Sequence, residues 1–194
     1  MITLRTGSHA LNIITLLSVT GEFPMRSLKL LGNERVLKAL VHKMTTPQDY
    51  RLPHTQTEER ITCKLLNVSG KGSSKSIRFS KAALPILEWI HPDAYDYYMH
   101  SFWDHKFPGD AAHIERNHRV AESVMMCMAA GIECRPYSLP SLQNMQISLT
   151  VPEYSAYYLA KDLKKLGDSE MSKTVFTRMA GAIFSQSEAY AVYN

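Results

Sequence analysis

The chain has 194 residues, of which 45% are hydrophobic and 21% are charged, as in an ordinary globular protein. The length allows one domain, or two small ones, with a real hydrophobic core. The apolar stretch at residues 1–19 is short, is interrupted by His9 and Asn12, and lacks a small-residue cleavage site. We therefore expect neither a signal peptide nor a membrane span, and we place the protein in the cytoplasm.

The three cysteines are odd in number and have no CxxC spacing, which indicates buried, reduced thiols rather than disulfides or a zinc site.

The formal net charge of +4 is unevenly distributed. Residues 1–80 carry a net charge of +7, whereas residues 81–194 carry −3. This asymmetry indicates that the N-terminal part meets a polyanion, although a chance fluctuation on a solvated surface has the same appearance.

The first predicted helix follows Ser8, a candidate N-cap, and continues with helical apolar spacing to about Val19. Two further helical patterns, residues 24–31 and 34–44, lie on either side of Gly32-Asn33. Pro24 suits the first position of a helix because its missing N–H group has no partner there. Two helices joined by a glycine-containing turn are typical of a helix-turn-helix.

The third helix, residues 34–44, is amphipathic, with basic residues opposite its apolar side. Its predicted apolar face consists of Val36, Leu37, Leu40, Val41 and Met44. A basic outer face is usually only solvated, so this helix does not establish DNA binding by itself.

A β-hairpin is predicted after a Pro/Thr/Gln-rich loop at residues 45–59. Residues 60–68 form its first predicted strand and residues 75–79 its second, with Gly and Ser residues in the turn at 69–74. Three helices followed by a hairpin is the order of a winged helix-turn-helix. The small turn residues would let the backbone approach a phosphate closely.

In this interpretation the partner is double-stranded DNA, with the third helix in the major groove and the hairpin as a wing. The second helix would contact the DNA backbone, and the third helix would contact base edges or phosphates. The predicted DNA-binding residues are Arg26, Lys29, Asn33, Arg35, Lys38, His42, Lys43, Lys71, Lys75 and Arg78. A winged helix used only for protein contacts is the alternative, because fold does not dictate function.

Beyond residue 80, we expect helices at residues 81–90 and 93–102 and a long helix at 112–130. The aromatic residues of the second of these helices favour packing of the two domains against each other over base stacking. Short strands are expected at 132–135 and 145–151, and residues 178–184 and 189–193 form a predicted hairpin. Residues 154–165 fit either a strand or a helix. The predicted fold class is α+β, with a winged helix-turn-helix at 1–80, linker helices at 81–111 and a helix-plus-small-sheet α/β domain at 112–194.

A family resemblance is carried by three segments of the sequence. They are the unit from His113 to Glu133, HIERNHRVAESVMMCMAAGIE, and the terminal pieces FTRMAGAIFS and AYAVYN. The chain resembles replication-relaxation-type proteins of plasmids and integrative mobile elements of Gram-positive bacteria. The resemblance implies an N-terminal DNA-binding winged helix, a partial restriction-endonuclease-like core, and a role in plasmid replication or transfer. As members of that family extend further, it also implies a short or truncated form.

A Mg²⁺-dependent nuclease or nickase is the first alternative function. Asp162 and Lys164 have acid-x-Lys spacing, which on a strand places both side chains on one face. A second acid would come from Glu122, Glu133 or Glu153, but such triplets are common and KDLKK is typical of a solvated charge run. A tyrosine nucleophile would require a histidine-held metal. His100, His105, His113 and His118 do not have credible ligand spacing.

The second alternative is a protein-interaction or inhibitor protein that uses the acidic C-terminal part as a docking face. No motif for a cofactor is present, so we expect no cofactor and no resident metal. The sequence leaves the oligomeric state open, and a homodimer is one candidate because two-fold protein symmetry matches palindromic DNA sites.

Overall fold

The structure is a computed structural model that describes residues 1–51, 60–102, 111–136, 155–164, 179–185 and 188–193. It contains helices and mostly antiparallel strands, which confirms the predicted α+β class. The chain forms two compact units, Met1–Glu122 and Ser123–Asn194. The helices expected within residues 81–111 therefore lie in the first unit. In the described ranges, no helix combines the length and the apolar character that crossing a bilayer requires.

The first unit begins with β1 (Ile2–Thr3) and α1 (His9–Thr20). Ser8 caps α1 as predicted, since its side chain accepts a hydrogen bond of 3.3 Å from the backbone N–H of Leu11. Gly21 ends the helix with φ +73°, a conformation that favours glycine. The predicted termini of this helix are thus confirmed.

The predicted second helix is a 3₁₀ helix, Met25–Leu31, preceded by strand β2 (Glu22–Pro24). Pro24 is therefore the last residue of a strand and not the first residue of a helix, because β2 pairs with a strand distant in sequence. Helix α2 (Glu34–Met44) follows the turn at Gly32-Asn33, as predicted. Asn33 caps it by accepting hydrogen bonds from the N–H groups of Arg35 and Val36, at 3.1 and 3.3 Å.

The single strand predicted at residues 60–68 is wrong, because the structure divides it into β4 (Arg60–Cys63) and β5 (Leu66–Ser69). Strand β3 (Gln48–Arg51) lies in the segment predicted as a loop and pairs with both β1 and β4. Strands β5 and β6 (Ser76–Phe79) form the predicted hairpin. Strand β2 pairs with the other edge of β6, which gives an antiparallel sheet with the order β2-β6-β5.

The core of the first unit lies between α1, α2 and one face of this sheet. Its apolar residues are almost completely buried. They include Ile13, Leu17, Phe23, Leu28, Leu37, Val41, Leu66, Ile77 and Phe79. Helices α3 (Leu84–Ile90) and α4 (Pro92–Ser101) continue the unit. The ring of Tyr98 on α4 packs against Phe79 and Phe102 within the first unit, with centroid distances of 5.3 and 5.2 Å, and these contacts do not test the predicted packing between two domains.

Helix α5 (Ala111–Ala129) matches the predicted long helix, and the division between the units falls within it. The second unit contains β7 (Ala156–Leu159), α6 (Ala160–Leu163), β8 (Met179–Phe184) and β9 (Ala189–Tyr193). The antiparallel β8–β9 pair confirms the predicted terminal hairpin. Residues 154–165, ambiguous in sequence, contain both a strand and a short helix. Near the predicted strand 132–135, Glu133 forms only an isolated bridge to Ala156. The predicted strand 145–151 lies outside the described residues.

Gly181 on β8 allows the ring of Tyr157 to lie against the strand. A Cβ atom at this position would overlap the Tyr157 ring, its hydroxyl oxygen and the carbonyl oxygen of Tyr158. The backbone carbonyl belongs to the paired strand β7, so it cannot move without disturbing the ladder.

We therefore expect Gly181→Ala to lower the free energy of unfolding of the second unit by about 1–3 kcal/mol, the usual cost of overpacking. Urea-dependent amide exchange of β7 and β8, followed by mass spectrometry, measures this change. Ala191→Ser, on the exposed strand β9, is the control and should be nearly neutral. Equal effects of the two substitutions would contradict the close packing at Gly181.

Candidate nucleic-acid interface

A groove of about 720 Å³ lies in the first unit between the start of the 3₁₀ helix, helix α2 and the β5–β6 hairpin. Ten residues from these elements and from the break between β4 and β5 line it. They are Met25, Arg26, Lys38, Val41, His42, Thr45, Lys64, Val68, Gly72 and Lys75. The groove thus joins the predicted third helix to the predicted wing.

The groove is basic. Four of its lining residues, Arg26, Lys38, Lys64 and Lys75, are cationic at neutral pH, and His42 is a fifth basic group. All five are exposed to solvent, and no lining residue is acidic. Clustered charges of one sign in a concave surface concentrate oppositely charged ligands. The arrangement is therefore suited to bind a polyanion.

Helix α2 presents its basic residues because its apolar face is fixed in the core. Leu37, Val41 and Met44 are buried, which directs Lys38 and His42 toward the groove. The predicted apolar face was too wide, because Val36 is 50% exposed.

The structure brings four of the ten predicted residues together in the groove lining: Arg26, Lys38, His42 and Lys75. Four others are exposed outside it, namely Lys29, Arg35, Lys43 and Lys71. The side-chain oxygen of Asn33 is engaged in capping α2. All nine of these residues stay predictions as DNA contacts.

Sequence reasoning missed Lys64 and Thr45. The sequence pattern predicts Lys64 within a continuous strand, whereas Lys64 lies between the end of β4 and the start of β5. The signal was present in the sequence, because the consecutive apolar residues Leu65 and Leu66 interrupt the alternation of a strand. Both leucines are buried, and this bend places Lys64 at the groove.

Two groove cations have acidic partners. The Lys38 ammonium lies 2.7 Å from Glu34, one helical turn away, and its hydrogen bond lowers the pKa of the Glu34 carboxyl. The Arg26 Nε lies 3.3 Å from Glu122 Oε1, and Arg26 Nη1 donates a hydrogen bond of 3.2 Å to the carbonyl oxygen of Ser73. Both pairs are partly exposed, so water screens them.

Arg78, also predicted to contact DNA, has a different environment. Its guanidinium lies 2.6 Å from Glu22 on β2, whose carboxylate is completely buried. The side-chain amide of Asn117 on α5 donates a second hydrogen bond of 2.8 Å to Glu22. Arg78 is therefore part of the packing between β2, β6 and α5, and we leave it out of the candidate interface.

His118 lies beside this ion pair, on the same side of the sheet. It is buried, and its Nε2 lies 2.6 Å from the hydroxyl oxygen of Ser76 on β6. Burial lowers the pKa of His118, and Arg26 and Arg78 act in the same direction, whereas Glu22 and Glu122 oppose it. His118 thus has a structural hydrogen bond and is not arranged as a metal ligand.

The geometric premise of the nuclease hypothesis is wrong. Asp162 lies in the short helix α6 and is buried, whereas Lys164 follows the helix and is exposed. Residues two apart on a helix point about 200° away from each other, so the two side chains do not share a face. Two of the proposed second acids have cationic partners, since Glu122 pairs with Arg26 and Glu133 with Arg135. Glu153 and His105 lie outside the described residues.

Within the described ranges, no group of three or more His, Cys, Asp or Glu residues is close enough to hold a metal ion. Cys63, Cys127 and Cys134 are buried free thiols, as predicted, and burial raises the pKa of each. No family model, curated protein or solved structure matches the chain. The resemblance to replication-relaxation-type proteins therefore stays a prediction.

The structural role of Arg78 in its ion pair with Glu22 can be tested by substitution. We expect Arg78→Met to lower the free energy of unfolding by about 2–4 kcal/mol, because it leaves a buried carboxylate without its cation. Adding Glu22→Gln should recover more than half of this loss, since the buried charge is then gone.

Urea denaturation followed by tryptophan fluorescence measures both effects, as Trp89 lies on α3 of the first unit. The control is Arg119→Met, which breaks an exposed pair with Glu115. If Arg78→Met is no more destabilising than this control, the structural role of Arg78 is refuted.

Proposed function

We propose that the chain is a non-enzymatic protein that binds double-stranded DNA through a winged helix-turn-helix in its first unit. We also propose that it is a cytoplasmic homodimer encoded by a mobile genetic element. The protein would control transcription, replication or transfer of that element. The biological context comes from the sequence resemblance alone. DNA binding has separate support from the charge and geometry of the groove.

The topology of the first unit supports the winged-helix assignment. The chain runs through α1, β2, the 3₁₀ helix and α2 before it reaches the β5–β6 hairpin. Strand β2 pairs with β6, so the strand between the first two helices closes the sheet of the hairpin. Strands β3 and β4 are an insertion between α2 and that hairpin. A helix-turn-helix places its second helix in the major groove, which here is α2.

The observation that carries the proposal is the basic groove between α2 and the hairpin. Its cations come from α2, from the 3₁₀ helix, from the bend before β5 and from the start of β6. Phosphates of one strand would be neutralised by Lys64 and Lys75, while Lys38 and His42 lie at the groove edge of α2. Neutralisation releases condensed counterions from DNA, so binding would depend steeply on salt.

Recognition of sequence would depend on the outward face of α2. Arg35 is exposed one turn before Ala39, which is small and also exposed. A small residue allows the helix to approach base edges closely, and arginine is the usual bidentate partner of guanine. Lys43 continues the basic surface toward the end of the helix. Phosphate contacts fix the register and base contacts provide the specificity.

The test is an anisotropy titration of the full chain with labelled duplex DNA, including the DNA upstream of its own gene. We expect binding at low salt and a linear decrease of log affinity with log salt. Lys64→Ala and Lys75→Ala should each weaken binding to any sequence by about tenfold and reduce the salt slope by about 1. Arg35→Ala should mainly reduce the preference for the specific site.

The matched control is Lys164→Ala, which removes the same charge from an exposed lysine of the second unit. It should leave the affinity and the slope unchanged. Absence of binding at low salt, or equal effects of Lys164→Ala and Lys75→Ala, would reject the proposal. Incubation of supercoiled DNA with Mg²⁺ or Mn²⁺ tests the nuclease alternative in the same samples, and we expect no cleavage.

A further inference from the structure

Arg26 has contacts that a simple phosphate-binding side chain does not need. Its Nε atom lies 3.3 Å from Glu122 Oε1, at the end of the first unit, and its Nη1 donates to the carbonyl oxygen of Ser73 at 3.2 Å. Ser73 lies in the turn that connects β5 to β6. One guanidinium therefore joins three elements: the 3₁₀ helix, the turn of the hairpin and helix α5.

The Glu122 carboxylate is itself fixed. The hydroxyl group of Ser27, a buried residue next to Arg26 in the chain, donates a hydrogen bond to the same Oε1 atom. The Glu122 side chain is only 21% exposed. Arg26 is thus held by an acid that has a second, buried partner, which leaves it poorly placed to turn toward a phosphate.

The turn at residues 70–75 is held at its last residue, because the backbone N–H of Met25 donates a hydrogen bond of 2.9 Å to the carbonyl oxygen of Lys75. It contains two glycines and two serines and is exposed throughout. Its hydrogen bonds among the described residues include local ones, from Ser74 to the carbonyl oxygen of Lys71 and from Lys75 to that of Gly72. Local bonds fix the shape of a turn but not its orientation toward α2. The Met25–Lys75 bond connects the end of the turn to the 3₁₀ helix, and the Arg26–Ser73 bond connects its tip to the same helix.

We propose that Arg26 is a positioning residue that, fixed by Glu122, holds the turn of the wing at the spacing from α2 that DNA requires. This inference rests on the proposed function and revises the role expected for Arg26, which was a contact to the DNA backbone. The planar fork of arginine reaches Glu122 and Ser73 at the same time, and the single ammonium of lysine does not reproduce this geometry.

The two roles predict opposite effects of removing Glu122. If Arg26 contacts phosphate, Glu122→Ala releases a cation and removes a negative charge near the groove, so DNA binding becomes tighter. If Arg26 positions the wing, Glu122→Ala loosens the turn and binding becomes weaker. The conservative variant Arg26→Lys separates the roles again, because it keeps the charge but loses the bridging geometry.

The experiment measures Arg26→Lys and Glu122→Ala by two methods in the full chain. Amide exchange of residues 70–75 in the free protein should be faster in both variants by about two- to fivefold, the range for a partly exposed charged contact. DNA affinity should fall by a similar factor, with the salt slope unchanged. Lys75→Ala is the comparator. It should reduce the salt slope of DNA binding without altering the amide exchange of Ser73.

Tighter DNA binding of Glu122→Ala, or unchanged DNA affinity of Arg26→Lys, would overturn the inference. Unchanged exchange at residues 70–75 in both variants would overturn it as well. The exchange measurement needs no DNA, so it decides the role of Arg26 even if the protein does not bind DNA. Failure of the proposed function instead appears as absence of binding in the unmodified chain. Thermal unfolding of both variants identifies any general loss of the fold.

Discussion

The first unit depends on one buried carboxylate. Glu22 on β2 is completely inaccessible to solvent, and a charge in that position is tolerated only when its oxygens are satisfied. Arg78 from β6 provides the opposite charge and Asn117 from α5 provides a further donor. The pair thus determines which strand lies beside β6 and which helix covers the outer face of the sheet. The opposite face carries Ile77 and Phe79 into the core, so both sides of β6 are occupied.

Much of the fold was predictable because its signals are local. Ser8 and Gly21 delimit α1, the spacing of Leu37, Val41 and Met44 defines the buried face of α2, and two strand-length apolar segments on either side of a polar turn define the terminal hairpin. The errors have nonlocal causes. Pro24 reads as a helix start until β2 pairs with β6, and Arg78 reads as a wing cation until Glu22 is found opposite it. The candidate site was predicted in part, since Lys64 reaches the groove only through the bend that ends β4.

The second unit illustrates why a sequence spacing is weak support for catalysis. Asp162 and Lys164 would share a face on a strand, but the chain turns from β7 into α6 at Ala160. This turn buries Asp162 and exposes Lys164. A spacing has chemical meaning only together with the backbone conformation that carries it. Asp162 is thus a buried residue of α6 and not one half of an acid–lysine pair.

The exposure of each ion pair determines which cations of the first unit are available to a polyanion. Lys38 and Glu34 meet in water on one side of α2, so exchanging that partner for a phosphate costs little. Arg78 could make the same exchange only by leaving Glu22 charged and buried, a state the protein interior does not tolerate. Arg26 lies between these limits, because its acid is partly buried and hydrogen-bonded to Ser27. The basic residues therefore form a graded series, from Lys38, which is free to change partners, to Arg78, which is fixed. Under the proposed function, only the exposed residues at the Lys38 end of that series would supply the counterion release that favours DNA binding.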